Sequence, residues 1–289
     1  MKKRNRQMNL FYIPAVVLMA LFVVYPFGQA IFISFCKWNG YSVNRTFVGL
    51  ENYISIFSDA RLWTAFRNTL IYGFGSTLLQ NVFGLAIALL VNSRFKGNNI
   101  VRTIVYMPIM ISGLIMGYIM YYFLVFDNGV LNDIIAMFGL EPVNWLGNPK
   151  IGVAAITLIN SWQYLGQCMI IYLAGLQNIP TVYYEAAAID GVGTWSRFTR
   201  ITVPLLMPSI SSAVILNLIG GLKLYDVVIS LTNGGPGFTT HSIMSYINNR
   251  YFQGEKAGYA AAIGISTFLF ILVVSMIGNS YFAKKEVEM

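Results

Sequence analysis

Six long apolar stretches, at about 10–35, 66–92, 102–126, 152–176, 205–230 and 258–283, are separated by shorter polar ones. Each reaches the roughly 20 residues that a helix needs to cross the hydrocarbon of a bilayer. The pattern predicts an all-α integral membrane protein with six transmembrane helices. The first stretch follows Lys2-Lys3-Arg4-Asn5-Arg6, a basic head like that of a signal peptide. Its apolar run is longer than a cleaved signal uses, although Gly28-Gln29-Ala30 has the small residues of a cleavage site. It reads as an uncleaved first helix, with Pro14 and Pro26 kinking it or bounding a shorter helical core. No internal repeat and no low-complexity linker divides the chain, so residues 1–289 read as a single transmembrane domain.

Composition agrees. Hydrophobic residues make up 56% and charged residues 10%, with a mean hydropathy of +0.62. A soluble domain carries about 25% charged residues. The net charge of +8 does not form one basic patch. The Lys and Arg residues stand at the edges of the apolar runs, where they set membrane orientation. With both termini cytoplasmic, the cytoplasmic side holds eleven of them and the outer side seven, with Lys223 inside the fifth span. The bias is sharpest at the short 93–101 connection, with Arg94, Lys96 and, just beyond, Arg102. The 177–204 loop is then cytoplasmic. The outer loops carry Trp38, Tyr41, Trp63 and Trp145, aromatics suited to the membrane interface. Residues 127–150 read as a short helix followed by a turn that ends Glu141-Pro142-Val143-Asn144-Trp145.

Two cysteines, Cys36 and Cys168, cannot build a disulfide framework, and Cys168 in an apolar run reads as packing. His241 is the only histidine and is placed in an outer loop. No Cys, His and carboxylate cluster has metal-ligand spacing, so a protein-held metal is not expected.

The 177–204 loop has its own helical grammar. Thr181 is placed to cap a helix from about Val182, and Glu185 falls in or near the first turn, where the helix dipole favours a carboxylate. Ala186, Ala187 and Ala188 favour helix without bulk. Gly191 and Gly193 can end it in a left-handed conformation. Thr194-Trp195-Ser196-Arg197-Phe198-Thr199-Arg200 then reads as a second turn or helix in which Trp195 and Phe198 pack. Pro204 and Pro208 suit the entry to the fifth span.

Glu185-Ala186-Ala187, three residues, Gly191, nine residues and Ile201-Thr202-Val203-Pro204 resemble the EAA loop of ABC importer permeases. Val203 stands where that family usually has Leu. Gly49-Leu50-Glu51-Asn52-Tyr53, Asn68-Thr69 and Leu231-Thr232-Asn233-Gly234-Gly235-Pro236-Gly237 extend the likeness along nearly the whole chain. It is similar to the carbohydrate-importer permeases, on the side of the maltose-type and glycerol-phosphate-type first subunit. That resemblance implies a type I ABC importer permease in a bacterial cell membrane, with a coupling-helix loop that docks on ATP-hydrolysing subunits. Glu185, Ala186, Ala187, Asp190, Gly191 and Pro204 are the implied coupling residues, Glu185 pairing with a basic residue of the ATPase. The implied partners are a homologous second permease, two ATP-binding subunits and an extracellular or periplasmic substrate-binding protein, for which the 127–150 loop is a resting place. No cofactor is expected on this chain; ATP and Mg belong to the ATPase subunits. The chain has no Gly-x-x-x-x-Gly-Lys-Ser/Thr sequence to cradle phosphates, so it is not expected to be an enzyme.

Polar side chains inside spans are costly and point to a cavity or a helix contact. The fourth span carries Asn160, Ser161, Trp162, Gln163, Tyr164 and Gln167, and the fifth carries Asn217, Lys223, Tyr225 and Asp226. Amides, hydroxyls and aromatic faces are the groups that hold sugars. The resemblance places Asn160, Tyr164, Gln167, Asn217 and Gly221 near a substrate pathway. Lys223 and Asp226, three residues apart, are spaced to pair with each other. Gln80 and Asn81 read as interhelical contacts, and Gly113 with Gly117 as a small-residue packing face. Two other transport readings remain open: an ion-coupled secondary transporter, which would use intramembrane carboxylates where only Asp226 is available, and an importer of a non-sugar solute such as glycerol phosphate. No nucleophile–base pair supports a membrane enzyme.

Overall fold

The computed structural model describes residues 12–93 and 96–285. The first two residues of the expected first span, the basic Lys2, Lys3, Arg4 and Arg6, and Arg94 lie outside the described residues.

In chain order the helices are α1 (Tyr12–Ser34), α2 (Glu51–Ser58), α3 (Ala60–Asn92), α4 (Asn98–Met110), α5 (Gly113–Leu124), α6 (Val130–Met137) and α7 (Pro149–Asn178). They continue with α8 (Thr181–Ile189), α9 (Thr194–Leu205), α10 (Met207–Leu222), α11 (Asp226–Thr232), α12 (Ile243–Asn248) and α13 (Ala257–Ala283). Strands β1 (Cys36–Lys37) and β2 (Thr46–Phe47) pair antiparallel, Cys36 opposite Phe47. The chain forms two compact units: residues up to Ala60 with Ile247–Leu269, and Arg61–Tyr246 with the residues from Phe270 onward.

In the first unit, α1 runs through both prolines rather than stopping at either. It widens into a π-helical stretch, Ala20–Val24, just before Pro26. Proline has no N–H and its ring crowds the carbonyl four residues back, and a wider turn relieves both problems. The Gly49–Tyr53 segment anchors the end of this helix. Gly49 takes φ +59, and Asn52 Nδ2 donates to the carbonyls of Ser34 and Cys36, both at 2.9 Å. Tyr53 shares a 2.7 Å hydrogen bond with Ser34. Tyr259 donates to Asp59 at 2.9 Å, and Arg250 lies 3.8 Å from the same carboxylate.

The second unit is built around α7, thirty residues long and packed most extensively on α3, with α10 against both. One buried cluster joins Ala88, Val91, Met169, Tyr172 and Leu206; another joins Tyr72, Met116, Ile156, Val227 and Leu231. Cys168 is fully buried against Gly84, in line with a packing role. Asn81 accepts from Tyr172, which makes it an interhelical contact between α3 and α7. Gly113 and Gly117 let α5 lie directly on α11: a methyl group at Gly113 would stand 2.8 Å from Cβ of Asp226, and one at Gly117 2.8 Å from Cβ of Ser230.

Asn68-Thr69 meets the segment that follows the Leu231–Gly237 motif. Asn233, Gly234 and Gly237 all take positive φ, turning the chain sharply after α11. Asn68 Nδ2 donates to the carbonyls of Thr239 (2.6 Å) and His241 (3.1 Å), and the Tyr72 hydroxyl donates to that of Thr240 (2.8 Å). Thr69 Oγ1 accepts from the amide of Ile243 at 2.8 Å. His241 lies in the loop before α12 and is buried there, with Nδ1 2.8 Å from Ser245 Oγ. Trp145, expected at an interface, donates through Nε1 to Asn132 at 3.0 Å.

Among the described residues, three helices are long and apolar enough to cross a membrane: α1, α3 and α13. Counting each bent pair as one span raises the number to five. The expected third span, 102–126, is two helices meeting at 99°. Pro108 starts a tight 3₁₀ turn, Ile111 is extended, and Ser112 caps α5 by accepting from the amide of Ile115. The expected fifth span, 205–230, ends at Leu222 and restarts at Asp226, and α10 meets the preceding α9 at 68°. Lys223 thus caps α10 rather than lying within it, and no ion pair joins it to Asp226, because the break removes the shared helix face. The expected fourth span corresponds to α7. At about 1.5 Å per residue it is long enough to cross, but its buried polar side keeps it out of the apolar set.

Two outcomes test this packing. Gly117→Val should destabilise the isolated chain in detergent by about 1–3 kcal/mol through overpacking, while Gly264→Ala, where no atom lies within 4 Å, should stay near wild type in the same thermal melt. Asn68→Ala should cost about 1–3 kcal/mol, because two carbonyls lose their donor. An unchanged melting temperature for Asn68→Ala would show that the anchor carries no load.

Candidate functional site: a polar cavity and an exposed helical hairpin

Two features of the second unit collect the sequence-predicted residues. The first is a cavity of about 450 Å³ where α3, α5, α7 and α10 surround the break before α11. Asn160, Tyr164 and Gln167 reach it from α7, spaced i, i+4 and i+7 along one helical stripe. Asn217 and Gly221 reach it from α10, one turn apart. All five expected pathway positions therefore line one space. A methyl group at Gly221 would stand 2.8 Å from Cα of Gly73, so this glycine also permits the crossing of α10 over α3. Asn217 donates to Cys168 Sγ, which fixes its amide against α7.

Ser161, Trp162 and Gln163, which share the fourth span, do not line the cavity. The Ser161 hydroxyl bonds back to the carbonyl of Thr157 at 2.6 Å, and Trp162 faces outward. Gln163 donates 2.8 Å to the carbonyl of Ile111, freed by the α4–α5 break. Sequence reasoning missed Gln80 as a cavity residue. It lies 2% exposed, donates 3.0 Å to the carbonyl of Asn160, and lines the cavity beside it. Gln80 and Asn81 look alike as neighbouring amides, but successive helical residues face about 100° apart, so one turns to the cavity and one to Tyr172. Gly113, Leu216, Gly220, Leu224 and Val227 complete the apolar part of the wall, and Lys223, Tyr225 and Asp226 come from the break itself.

The second feature is the hairpin of α8 and α9. Helix α8 starts one residue earlier than expected, with Pro180 rather than Thr181 at the cap and no side-chain capping bond. Glu185 therefore falls beyond the first turn. The helix ends in a double hydrogen-bond lock: the amide of Val192 reaches the carbonyl of Ala187 (2.9 Å), and that of Gly191 reaches Ala188 (3.2 Å). This is the Schellman arrangement, and it requires the left-handed conformation that Gly191 adopts at φ +67. Gly193 instead has φ −63 and starts α9. Tyr184 and Thr202 share a 3.1 Å hydrogen bond across the hairpin, and the rings of Trp195 and Phe198 lie 5.8 Å apart.

Glu185, Ala186, Asp190 and Gly191 are exposed on this hairpin, whereas Ala187 is buried beneath it. Pro204 sits half-buried at the junction with α10. Ile189 is 87% exposed and Trp195 75% exposed, so the hairpin presents apolar side chains that no described residue covers. The hairpin and cavity share elements: α7 leads into α8, and α9 leads into α10.

Residues 80–285 match the family model described as binding-protein-dependent transport system inner membrane component. The chain is 33% identical to the probable starch degradation products transport system permease protein of Thermoanaerobacterium thermosulfurigenes, over 97% of this chain and 95% of that one. It is 34% identical to the trehalose/maltose transport system permease protein of Thermococcus litoralis, over 96% and 94%. A crystal structure of a bacterial alginate ABC transporter, in complex with an alginate pentasaccharide-bound periplasmic protein, contains a chain of the same fold. Its TM-score is 0.83 at 26% identity, covering 96% of this chain and 94% of that one. The fold is that of a type I ABC importer permease, and the chain belongs to the binding-protein-dependent transport system inner membrane components, the membrane permease subunits of ABC transporters.

Proposed function

We propose that this chain is half of the translocation pathway of an ATP-driven importer for a sugar or oligosaccharide, and that the 450 Å³ cavity is where the sugar passes. The observation that carries this reading is the convergence of Asn160, Tyr164, Gln167 and Asn217 on one space. Amides supply donors and acceptors for hydroxyls, and the tyrosine ring supplies a face for the apolar side of a sugar ring. The relatives named for transport of starch degradation products and of trehalose/maltose support the same class.

In this reading the chain acts as one permease domain over 1–289. Its six crossings are α1, α3, the bent pair α4–α5, α7, the broken pair α10–α11, and α13, with both termini cytoplasmic. The α8–α9 hairpin is the coupling element for two ATP-binding subunits. Ile189 and Trp195 enter an apolar groove of such a subunit, and Glu185 and Asp190 offer carboxylates to its basic residues. The lock at Gly191 makes the hairpin stiff, so that a push from the ATPase reaches α7 and α10 and with them the cavity walls. A homologous second permease forms the other half of the pathway, and a substrate-binding protein delivers the sugar. ATP and Mg act on the partner subunits, and this chain contributes no hydrolytic group.

Co-purification of the chain with its partners from gently solubilised membranes tests the coupling. Gly191→Val and Glu185→Ala together should lower retention of the ATP-binding subunit and reduce transport by tenfold or more, equivalent to about 1.4 kcal/mol. Full retention and full transport for both would remove the docking role. Asn160→Ala, assayed in proteoliposomes with all partners, should raise the sugar concentration for half-maximal uptake several-fold while ATPase retention stays intact. Uptake that follows an ion gradient instead of ATP would favour a secondary transporter.

A further inference from the structure

We infer that Lys223 and Asp226 are specificity-determining residues of the cavity: together they select an uncharged saccharide by binding a pair of neighbouring hydroxyls. This inference rests on the reading of the cavity as the sugar passage.

The argument begins with the helix break. Lys223 caps α10, and Asp226 opens α11. A continuous helix would have set them on one face as an ion pair. The break leaves them unpaired with each other, and neither side chain has a hydrogen bond or an ion pair to any described residue. Both are exposed, and both line the cavity. Lys, Asp, Glu and Arg are absent from the rest of its lining, so these two are its ionised groups. The carboxylate has a built place: Gly113 lines the same cavity, and a methyl group there would stand 3.1 Å from Asp226 Oδ2 and 2.8 Å from its Cβ. Only the absence of a side chain at Gly113 leaves room for that carboxylate against α5.

The chemistry of the two groups is complementary to a vicinal diol. An ionised carboxylate only accepts and an ammonium only donates, while each sugar hydroxyl does both. Asp226 takes two hydroxyl protons and Lys223 donates to the oxygen lone pairs. Hydrogen bonds to ionised groups are the stronger kind. The wall also carries one positive and one negative charge, so it offers no net attraction to a charged solute. A carboxylate or phosphate on the sugar would gain from Lys223 only what it loses against Asp226, so the cost of taking its charge out of water would stay uncompensated. The inference therefore separates a neutral saccharide from a uronate or from glycerol phosphate.

The test uses the assembled importer in nanodiscs without its binding protein, so that selectivity belongs to the membrane subunits. Equilibrium dialysis compares radiolabelled maltose, trehalose and lactose with the same disaccharides carrying one hydroxymethyl group oxidised to a carboxylate. The wild type should bind at least one neutral sugar about tenfold or more tighter than its oxidised counterpart. Asp226→Asn should shrink that ratio by about tenfold, mainly by improving binding of the oxidised sugar. Lys223→Met should weaken the neutral sugar about tenfold. Co-purification with the ATP-binding subunit verifies assembly, and the wild-type ratio alone is decisive if a variant fails to assemble. A wild-type preference for the oxidised sugar, or variants that leave both affinities unchanged while Asn160→Ala weakens them, overturns this inference and leaves the cavity reading standing. Absence of binding for every sugar, with Asn160→Ala silent in transport, removes the cavity reading and this inference together.

Discussion

At the breaks that interrupt the third and fifth apolar stretches, a side chain distant in sequence captures the carbonyl that the break frees. The hydrocarbon of a bilayer supplies no water to satisfy such groups, so irregular backbone survives there only when protein or a cavity satisfies it. Gln163 answers the carbonyl of Ile111 at the α4–α5 break. Ser242 answers that of Leu224 in the break between α10 and α11. Asn68 and Tyr72 hold three carbonyls of the segment after α11. The donors sit on α3, on α7 and at the start of α12, so the broken helices are held by regular ones.

The cavity follows from this arrangement. A straight fifth helix would have carried Lys223, Tyr225 and Asp226 onward along one cylinder. The interruption instead turns them to the space between α7 and α5. Small residues let that space exist at bilayer depth: Gly113 admits α11, and Gly221 admits α3. The polar groups then act as a lining instead of a cost, because each faces either a captured carbonyl or the cavity.

The hairpin of α8 and α9 is continuous with the same framework. Its stiffness comes from backbone bonds at Ala187 and Ala188, from the left-handed Gly191, and from the Tyr184–Thr202 bond. Few of these involve the exposed faces of Glu185, Ala186, Asp190, Ile189 and Trp195, which leaves those faces available to another subunit. The sequence places the carboxylate, small and turn-forming residues of the hairpin, and the tertiary contacts hold its two helices together.

The extents of α1, α7 and α13, the position of the hairpin and the turn at Gly191 follow from the sequence by itself, because apolar run length and glycine act locally. The stripe of Asn160, Tyr164 and Gln167 is also legible, since a 3.6-residue period puts those spacings on one face. The cap moves by only one residue, from Thr181 to Pro180. That Gln80 rather than Asn81 would meet the cavity, and that the helix would break between Lys223 and Asp226, depend on contacts with Asn160 and Ser242, which are distant in sequence. The 99° turn in the third apolar stretch is not legible in the sequence, because the group that takes the carbonyl of Ile111 there, Gln163, lies fifty-two positions away. Local residues determined where the chain was able to bend; only the tertiary structure decided where it did, because a bend at bilayer depth persists only where a partner satisfies the exposed backbone.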